Sequence, residues 1–250
     1  MRGGTFSPRW STDLVFSLDA MVRDTVSLIA PVECVGCGMP DMSLCGECAG
    51  SLRGEAIDVQ LAISREFFGR PVRACAPYSG RSRAVVLGFK DHGHHRIAPF
   101  LAQSLISLLD PLMSSHPDAV IVPVPSSPRG RLRRGIEPTW ILAQHVKRSR
   151  PRWTILGVLR PRYTLPNLIS PAAKSLTRRE RLQRPRQLRL THDIRNRRVI
   201  VLDDVITTGS TLEASARVIR EGGGEVIAAV ALAATPRSGH SAVAQSVNRG

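Results

Sequence analysis

The sequence has few aromatic residues, few lysines and no long apolar run. Phe, Trp and Tyr make up 4% of its 250 residues, too few for the rows of stacking platforms that single-strand nucleic-acid binders use. Lysine occurs only at Lys90, Lys147 and Lys174, so arginine carries nearly all of the net charge of +15. No stretch of 18 apolar residues is present, which predicts a soluble, cytoplasmic protein without membrane insertion. A hydrophobic content of 42% is enough for a folded core.

The cysteines indicate a metal site rather than disulfides, because four of the five form two Cys-x2-Cys pairs separated by seven residues: Cys34, Cys37, Cys45 and Cys48. This spacing predicts a tetrahedral Zn²⁺ site in a small four-cysteine unit. Four thiolates fill the coordination sphere of zinc, so the predicted site is structural rather than catalytic. Four unligated cysteines are the alternative. The remaining cysteine, Cys75, is predicted to have a structural role.

Apolar periodicity predicts an α/β fold in which a parallel sheet is flanked by helices. The predicted strands are 118–125, 198–202 and 226–234, and the predicted helices are 11–29, 96–113, 139–150 and 211–221. Residues 72–78 form a further apolar segment. We expect three parts along the chain: an N-terminal helix and four-cysteine zinc unit in residues 1–60, the α/β domain in 61–236, and a flexible tail in 237–250.

The segment Val199–Thr211 reads VIVLDDVITTGST: a strand, two acids, a loop rich in hydroxyl groups, and the start of a helix. Backbone N–H groups at a helix N-terminus favour an anion, so the loop is a candidate phosphate-binding site; its residues are Thr207, Thr208, Gly209, Ser210 and Thr211. Asp203 and Asp204 lie where ligands of open α/β sheets bind, and carboxylates there accept hydrogen bonds from sugar hydroxyls. The pattern predicts a ribose 5-phosphate site. The alternative is a strand end and an ordinary helix cap.

This segment resembles the 5-phosphoribosyl 1-diphosphate signature of type I phosphoribosyltransferases. The four-cysteine unit and Val122-Pro123-Val124-Pro125 extend the resemblance to the ComF-like family, which is linked to competence and uptake of transforming DNA. The resemblance implies a type I phosphoribosyltransferase-like fold that binds 5-phosphoribosyl 1-diphosphate with Mg²⁺. It further implies catalytic roles for Asp203 and Asp204. Residues 129–135, which follow the VPVP strand and are here called the basic loop, would contact the pyrophosphate through Arg133 and Arg134.

Three other segments bear on this resemblance. Residues 175–182, read SLTRRERL, resemble the hood that closes over substrate in related enzymes. Residues 135–138, read GIEP, stand where relatives usually carry Gly-Phe-Asn-Gln. Residues 90–93, read KDHG, stand where relatives carry a Lys-Tyr-x-Gly-like element.

Two further functions remain open at the level of sequence. Nine arginines between Arg178 and Arg198, together with the basic loop, are compatible with binding of single-stranded DNA, with a DNA-uptake helicase as a further partner. Solvated arginine faces in an arginine-rich protein give the same pattern. In a mixed function, a non-catalytic competence protein would keep the phosphoribosyl site as a ligand sensor. Only turnover separates this sensor from an enzyme.

Overall fold

The computed structural model describes residues 32–61, 66–67, 69–126, 130, 135–162 and 188–236. The predicted helix 11–29, the hood-like segment 175–182 and the predicted tail 237–250 lie outside them. The described helices are α1 (Gly46–Gly50), α2 (Gly80–Asp91), α3 (Ala98–Ser115), α4 (Pro138–Ser149) and α5 (Ser210–Glu221). The described strands are β1 (Ile57–Asp58), β2 (Val72–Pro77), β3 (Val120–Pro123), β4 (Thr154–Ile155), β5 (Leu159–Pro161), β6 (Leu188–Leu190), β7 (Arg198–Ile206) and β8 (Glu225–Ala234).

A mainly parallel sheet forms the centre of the protein. Within the described residues its strand order is β1-β2-β8-β7-β3-β4; β1 is antiparallel to β2, and the other neighbours are parallel. Strands β5 and β6 form a separate antiparallel pair. The predicted α/β class and parallel sheet are therefore confirmed. The central strands β7 and β8 are buried on both faces, which explains why they read as continuous apolar runs in the sequence.

Different helices cover the two faces of the sheet. Side chains of α2, α3 and α4 pack in one buried cluster with Ile200 and Leu202 of β7. Side chains of α5 pack in a second cluster with Val199 and Val201 of the same strand. This alternation follows from the period of two in a β-strand. The same alternation determines which helices the side chains of Asp203 and Asp204 face.

Helix α3 is long and apolar enough to cross a membrane by length and composition: the helical stretch His95–Ser115 has 21 residues, and 56% of its most apolar window is buried inside the protein. Its buried side chains include Leu101, Leu105 and Leu109, which recur at four-residue spacing on the face toward the sheet. Burial of this kind is typical of the core helix of a soluble α/β protein, in agreement with the predicted solubility.

The Cys-rich segment packs directly against α2. A Cβ atom added at Gly88 of α2 would lie 1.8 Å from Cγ2 of Val35, and one added at Gly36 would lie 2.9 Å from Cγ2 of Val85. The absence of side chains at these two glycines therefore permits the close approach. Cys34, Cys45 and Cys48 belong to the same buried cluster as α2 and α3.

Candidate functional site

The two acids lie near the carboxyl end of β7, at the edge of the sheet where ligands of parallel α/β folds bind. The sequence predicted a strand ending at Leu202, but β7 continues to Ile206 because β8 runs alongside it to Ala234 and supplies hydrogen-bond partners. Asp203 and Asp204 are consequently inside the strand, with only 8% and 5% of their surfaces exposed. Two nearly buried carboxylates side by side are costly unless each is hydrogen-bonded or paired with a positive charge.

Each acid has such a partner. Asp203 Oδ1 accepts the backbone N–H of Asp204 at 2.8 Å. Asp204 Oδ1 accepts a charge-assisted hydrogen bond from Lys90 Nζ at 2.6 Å. Lys90 lies in the last turn of α2, which covers the face of the sheet that carries the side chains of Ile200 and Leu202. Side chains alternate along a strand, so Asp204 lies on this same face and reaches Lys90.

Sequence reasoning did not assign Lys90 a role in the site. The two partners are 114 residues apart, and no local pattern connects them. One available signal was that Lys90 opens the KDHG element noted in the family resemblance. The fold shows that this element ends the helix facing the acid pair.

The loop Thr207-Thr208-Gly209 connects β7 to α5. Gly209 is the N-cap of α5 and has φ +80°, a left-handed conformation that other residues adopt at a cost. Glycine has no side chain to cap the helix, and Thr208 Oγ1 accepts the N–H of Ser210 at 3.4 Å. The N–H groups of Thr211 and Leu212 in the first turn are left for solvent or a ligand. Thr208 Oγ1 donates to Ser210 Oγ at 3.0 Å, which brings two hydroxyl groups together beside these amides.

The segment before β2 covers the loop from one side. A Cβ atom at Gly209 would lie 2.6 Å from Cδ2 of Leu61, so a larger residue there would have to displace the end of that side chain in addition to adopting the left-handed conformation. Leu61 is half-buried and packs against the cluster that includes α5. Thr207 and Thr208 are exposed on the loop. The exposed hydroxyls and the amides of the first turn can hold an anion such as a phosphate.

The predicted pyrophosphate residues Arg133 and Arg134 lie outside the described residues, but both flanks of their loop are described. The loop leaves β3 at Val124, whose N–H donates to the carbonyl of Leu202 just before the acid pair. The Ser126 N–H donates to Glu137 Oε2 at 2.7 Å. Thr139 Oγ1 donates to the Val124 carbonyl at 2.6 Å. The two ends of the basic loop are therefore held together beside β7.

The four predicted zinc ligands converge. The sulfur atoms of Cys34, Cys37, Cys45 and Cys48 all lie within 4.8 Å of one another. The sulfurs of Cys37 and Cys45 are 3.7 Å apart, and tetrahedral coordination with Zn–S bonds of about 2.3 Å puts sulfurs about 3.8 Å apart. The residues therefore fit a tetrahedral Zn²⁺ ion. Three of the four side chains are buried, and a set of four sulfurs leaves no open coordination position, so such a metal would be structural.

Backbone amides stabilise the thiolate form within this cluster. The N–H of Cys45 donates to Cys34 Sγ at 3.3 Å, and the N–H of Cys48 donates to Cys45 Sγ at 3.4 Å. Burial opposes ionisation of Cys34, but hydrogen bonds from the amides of Cys45, Gly36 and Cys37 together lower its pKa to about 6. Thiolates are the form that binds zinc. Burial raises the pKa of Cys48 well above its ordinary value, so a bound metal must displace a proton there and the affinity of the cluster for zinc depends on pH.

The comparisons with known proteins agree with this site. Residues 164–245 match the family model described as the phosphoribosyl transferase domain, and this range contains β7, the acid pair, the loop, α5 and β8. No curated protein matches the chain. The crystal structure of a purine phosphoribosyltransferase from Pyrococcus horikoshii Ot3 is similar at 16% identity and a TM-score of 0.36, covering 57% of this chain and 78% of that chain, a similarity too low to support an inference.

The C-terminal third of the chain is thus similar to phosphoribosyltransferases, and the mixed α/β sheet has the architecture expected of that type. This agreement supports the superfamily that the sequence pattern predicted. The ComF-like family stays a prediction.

Proposed function

We propose that the protein binds 5-phosphoribosyl 1-diphosphate at the acid pair and loop that follow β7, and that it acts as a phosphoribosyltransferase. The observation that carries the proposal is the buried pair Asp203 and Asp204, followed closely by a glycine-capped helix N-terminus, all inside the range that matches the phosphoribosyl transferase domain. Carboxylates that accept sugar hydroxyls and amides that bind a phosphate are the two halves of a ribose 5-phosphate site.

Each part of the proposed site has a defined role. The amides and hydroxyls from Thr207 to Thr211 bind the 5-phosphate. Asp203 and Asp204 accept the ribose hydroxyls and, because both are almost buried, act in a region of low dielectric where their charges have a strong effect. The basic loop with Arg133 and Arg134 starts beside β7, on the side where the diphosphate would extend.

The donor set around the ligand also suits Mg²⁺. The ligand supplies phosphate and hydroxyl oxygens, which are the hard donors that Mg²⁺ prefers. When bound, Mg²⁺ would neutralise charge on the diphosphate leaving group. We assign the ion to the ligand complex, since Asp204 Oδ1 is already engaged by Lys90.

In the proposed reaction the bond between C1 of the ribose and the diphosphate oxygen breaks, and its electron pair leaves with the diphosphate. An electron pair of the acceptor forms the new bond to C1, and the acceptor then releases its proton to solvent. Positive charge develops on the sugar ring in between, and the carboxylates of Asp203 and Asp204 stabilise it. The residues act by positioning and electrostatics, with no covalent nucleophile.

The direct test is calorimetric measurement of 5-phosphoribosyl 1-diphosphate binding with Mg²⁺ to the wild type and to Asp203→Asn/Asp204→Asn. Loss of two charge-assisted hydrogen bonds should weaken binding about 100-fold, which corresponds to about 3 kcal/mol. The matched control is Asp110→Asn/Asp193→Asn, which removes two acids that pair with arginines away from the site. Equal affinity of the wild type and the acid-pair variant would eliminate the assignment.

Turnover separates a transferase from a ligand sensor. A transferase releases pyrophosphate when it is offered the correct acceptor, whereas a sensor binds the ligand without releasing pyrophosphate. Screening purine bases, ammonia and other nucleophiles for pyrophosphate release therefore decides between them. The cytoplasmic location, the role in competence and the partners single-stranded DNA and a DNA-uptake helicase are proposals that come from the sequence alone.

A further inference from the structure

Helix α2 contributes a charged residue to the acid pair from outside the matched range. Lys90 and Asp204 form an ion pair with 2.6 Å between Nζ and Oδ1, and the exposed fractions of the two side chains are 27% and 6%. The lysine is therefore at the boundary between the buried acid and solvent. Tyr78 lies close to this ion pair. Burial raises its pKa, and the charges of Arg83, Lys90, Asp204 and Asp91 modify that shift.

The charges at this edge of the sheet create a problem for an anionic ligand. Asp203 and Asp204 are adjacent, nearly buried and located at the sheet edge where the phosphoribosyl ligand would bind. Two carboxylates in a region of low dielectric repel a ligand that carries phosphate groups at both ends. A positive charge in contact with one acid reduces this repulsion and keeps the acids available to the ribose hydroxyls.

We propose that Lys90 is a positioning residue of the phosphoribosyl site, which fixes the Asp204 carboxylate and offsets its charge so that a sugar with two phosphorylated ends can bind. This inference rests on the proposed function. It adds a residue that lies outside the strand, loop and helix of the motif. Its distinctive consequence is that the effect of Lys90 grows with the negative charge of the ligand.

The Cys-rich segment contributes to this arrangement by holding α2 in place. Val35 and Gly36 pack against Gly88 and Val85 in the last two turns of α2, close to Lys90 in the chain. Glu47 of α1 pairs with Arg81 in the first turn of α2, with 3.0 Å between Oε2 and the guanidinium. Both halves of α2 are therefore anchored to the Cys-rich segment, and the last turn of the helix carries Lys90 to the acid pair.

The experiment compares two ligands of different charge, 5-phosphoribosyl 1-diphosphate with Mg²⁺ and ribose 5-phosphate, by calorimetry with wild type, Lys90→Met and Lys90→Arg. Lys90→Met should weaken binding of the diphosphate about tenfold or more and should weaken ribose 5-phosphate about threefold. Lys90→Arg should retain the diphosphate affinity within about threefold, because it keeps the charge. The control is Arg195→Met, which removes one paired positive charge from the loop before the amino end of β7, away from the acid pair, and should leave the affinity for both ligands unchanged.

The possible outcomes separate this inference from the proposed function. If the wild type does not bind 5-phosphoribosyl 1-diphosphate, the proposed function fails and the role of Lys90 fails with it. If the wild type binds and Lys90→Met binds equally well, only the role of Lys90 is wrong. Equal losses for both ligands would show that Lys90 supports the fold rather than the charge balance. Thermal unfolding of each variant shows whether a loss of binding comes from unfolding, and restoration by Lys90→Arg supports the inference.

Discussion

Gly88→Ala is a sharp test of how the Cys-rich segment packs on α2. Helix propensity alone predicts that this change is stabilising, since alanine is favoured over glycine by about 1 kcal/mol in a helix interior. The structure predicts the opposite. The new Cβ would lie 1.8 Å from Cγ2 of Val35 and 3.3 Å from its Cβ, and Val35 would have to move away from α2.

Overpacking of a buried contact costs about 1–3 kcal/mol, and an overlap this large belongs at the upper end of that range. After subtraction of the propensity gain, we expect Gly88→Ala to lower the free energy of unfolding by about 2 kcal/mol. The measurement is urea unfolding of the zinc-loaded protein, in which the midpoint should fall without a change in slope.

Two further variants isolate the steric cause. Gly50→Ala changes a glycine of α1 that has nothing within 4 Å of the new Cβ, and it should leave stability unchanged or slightly raised. Val35→Ala/Gly88→Ala should be more stable than Gly88→Ala alone, because it removes the methyl group that the new side chain meets. A Gly88→Ala protein as stable as the wild type would show that the Cys-rich segment does not pack on α2 in this way.

The remaining predictions concern the basic loop and the thiols. Glu137→Gln should lower the free energy of unfolding by about 1 kcal/mol in urea, because a neutral amide oxygen accepts the Ser126 N–H less strongly than a carboxylate; an unchanged midpoint would contradict this role. In zinc-loaded protein Cys75 should resist alkylation at pH 8, since burial raises its pKa to about 12 and only the thiolate reacts. Thiol titration should then count four thiols after chelation and five after denaturation, and rapid labelling of a fifth thiol in folded protein would contradict it.

The sequence predicted the inner strands β3, β7 and β8 and the helices α3, α4 and α5, because each of those elements carries a strong local signal. The runs at 199–202 and 226–234 are apolar throughout, which is typical of strands buried on both faces. Helix α2 was not predicted. Its segment begins with Ser79-Gly80, contains Gly88 and has arginines among its apolar residues, so its pattern resembles a loop. It forms because its apolar residues Val85, Val86 and Phe89 are buried by partners distant in the sequence.

The same distinction applies to the site. The acid pair and the candidate phosphate-binding loop were predicted together because they are contiguous, and the convergence of the four cysteines was predicted because their spacing is regular. Lys90 and Leu61 could not be predicted in this way. Each reaches the motif from a distant part of the sequence, and the sequence contains no periodicity that links them to Asp204 or Gly209.

Because the Cys-rich segment packs on α2, it affects the acid pair as well as the stability of the fold. A metal held by the four cysteines would fix the turns that carry Val35 and Gly36, and these residues contact the part of α2 that precedes Lys90. Because the ammonium group of Lys90 is 2.6 Å from a carboxylate that is nearly buried, small displacements of α2 change the distance between two charges in a region of low dielectric. A single helix, α2, therefore connects the cysteine cluster to the acid pair, and the electrostatics of the acid pair depend on how firmly that helix is held.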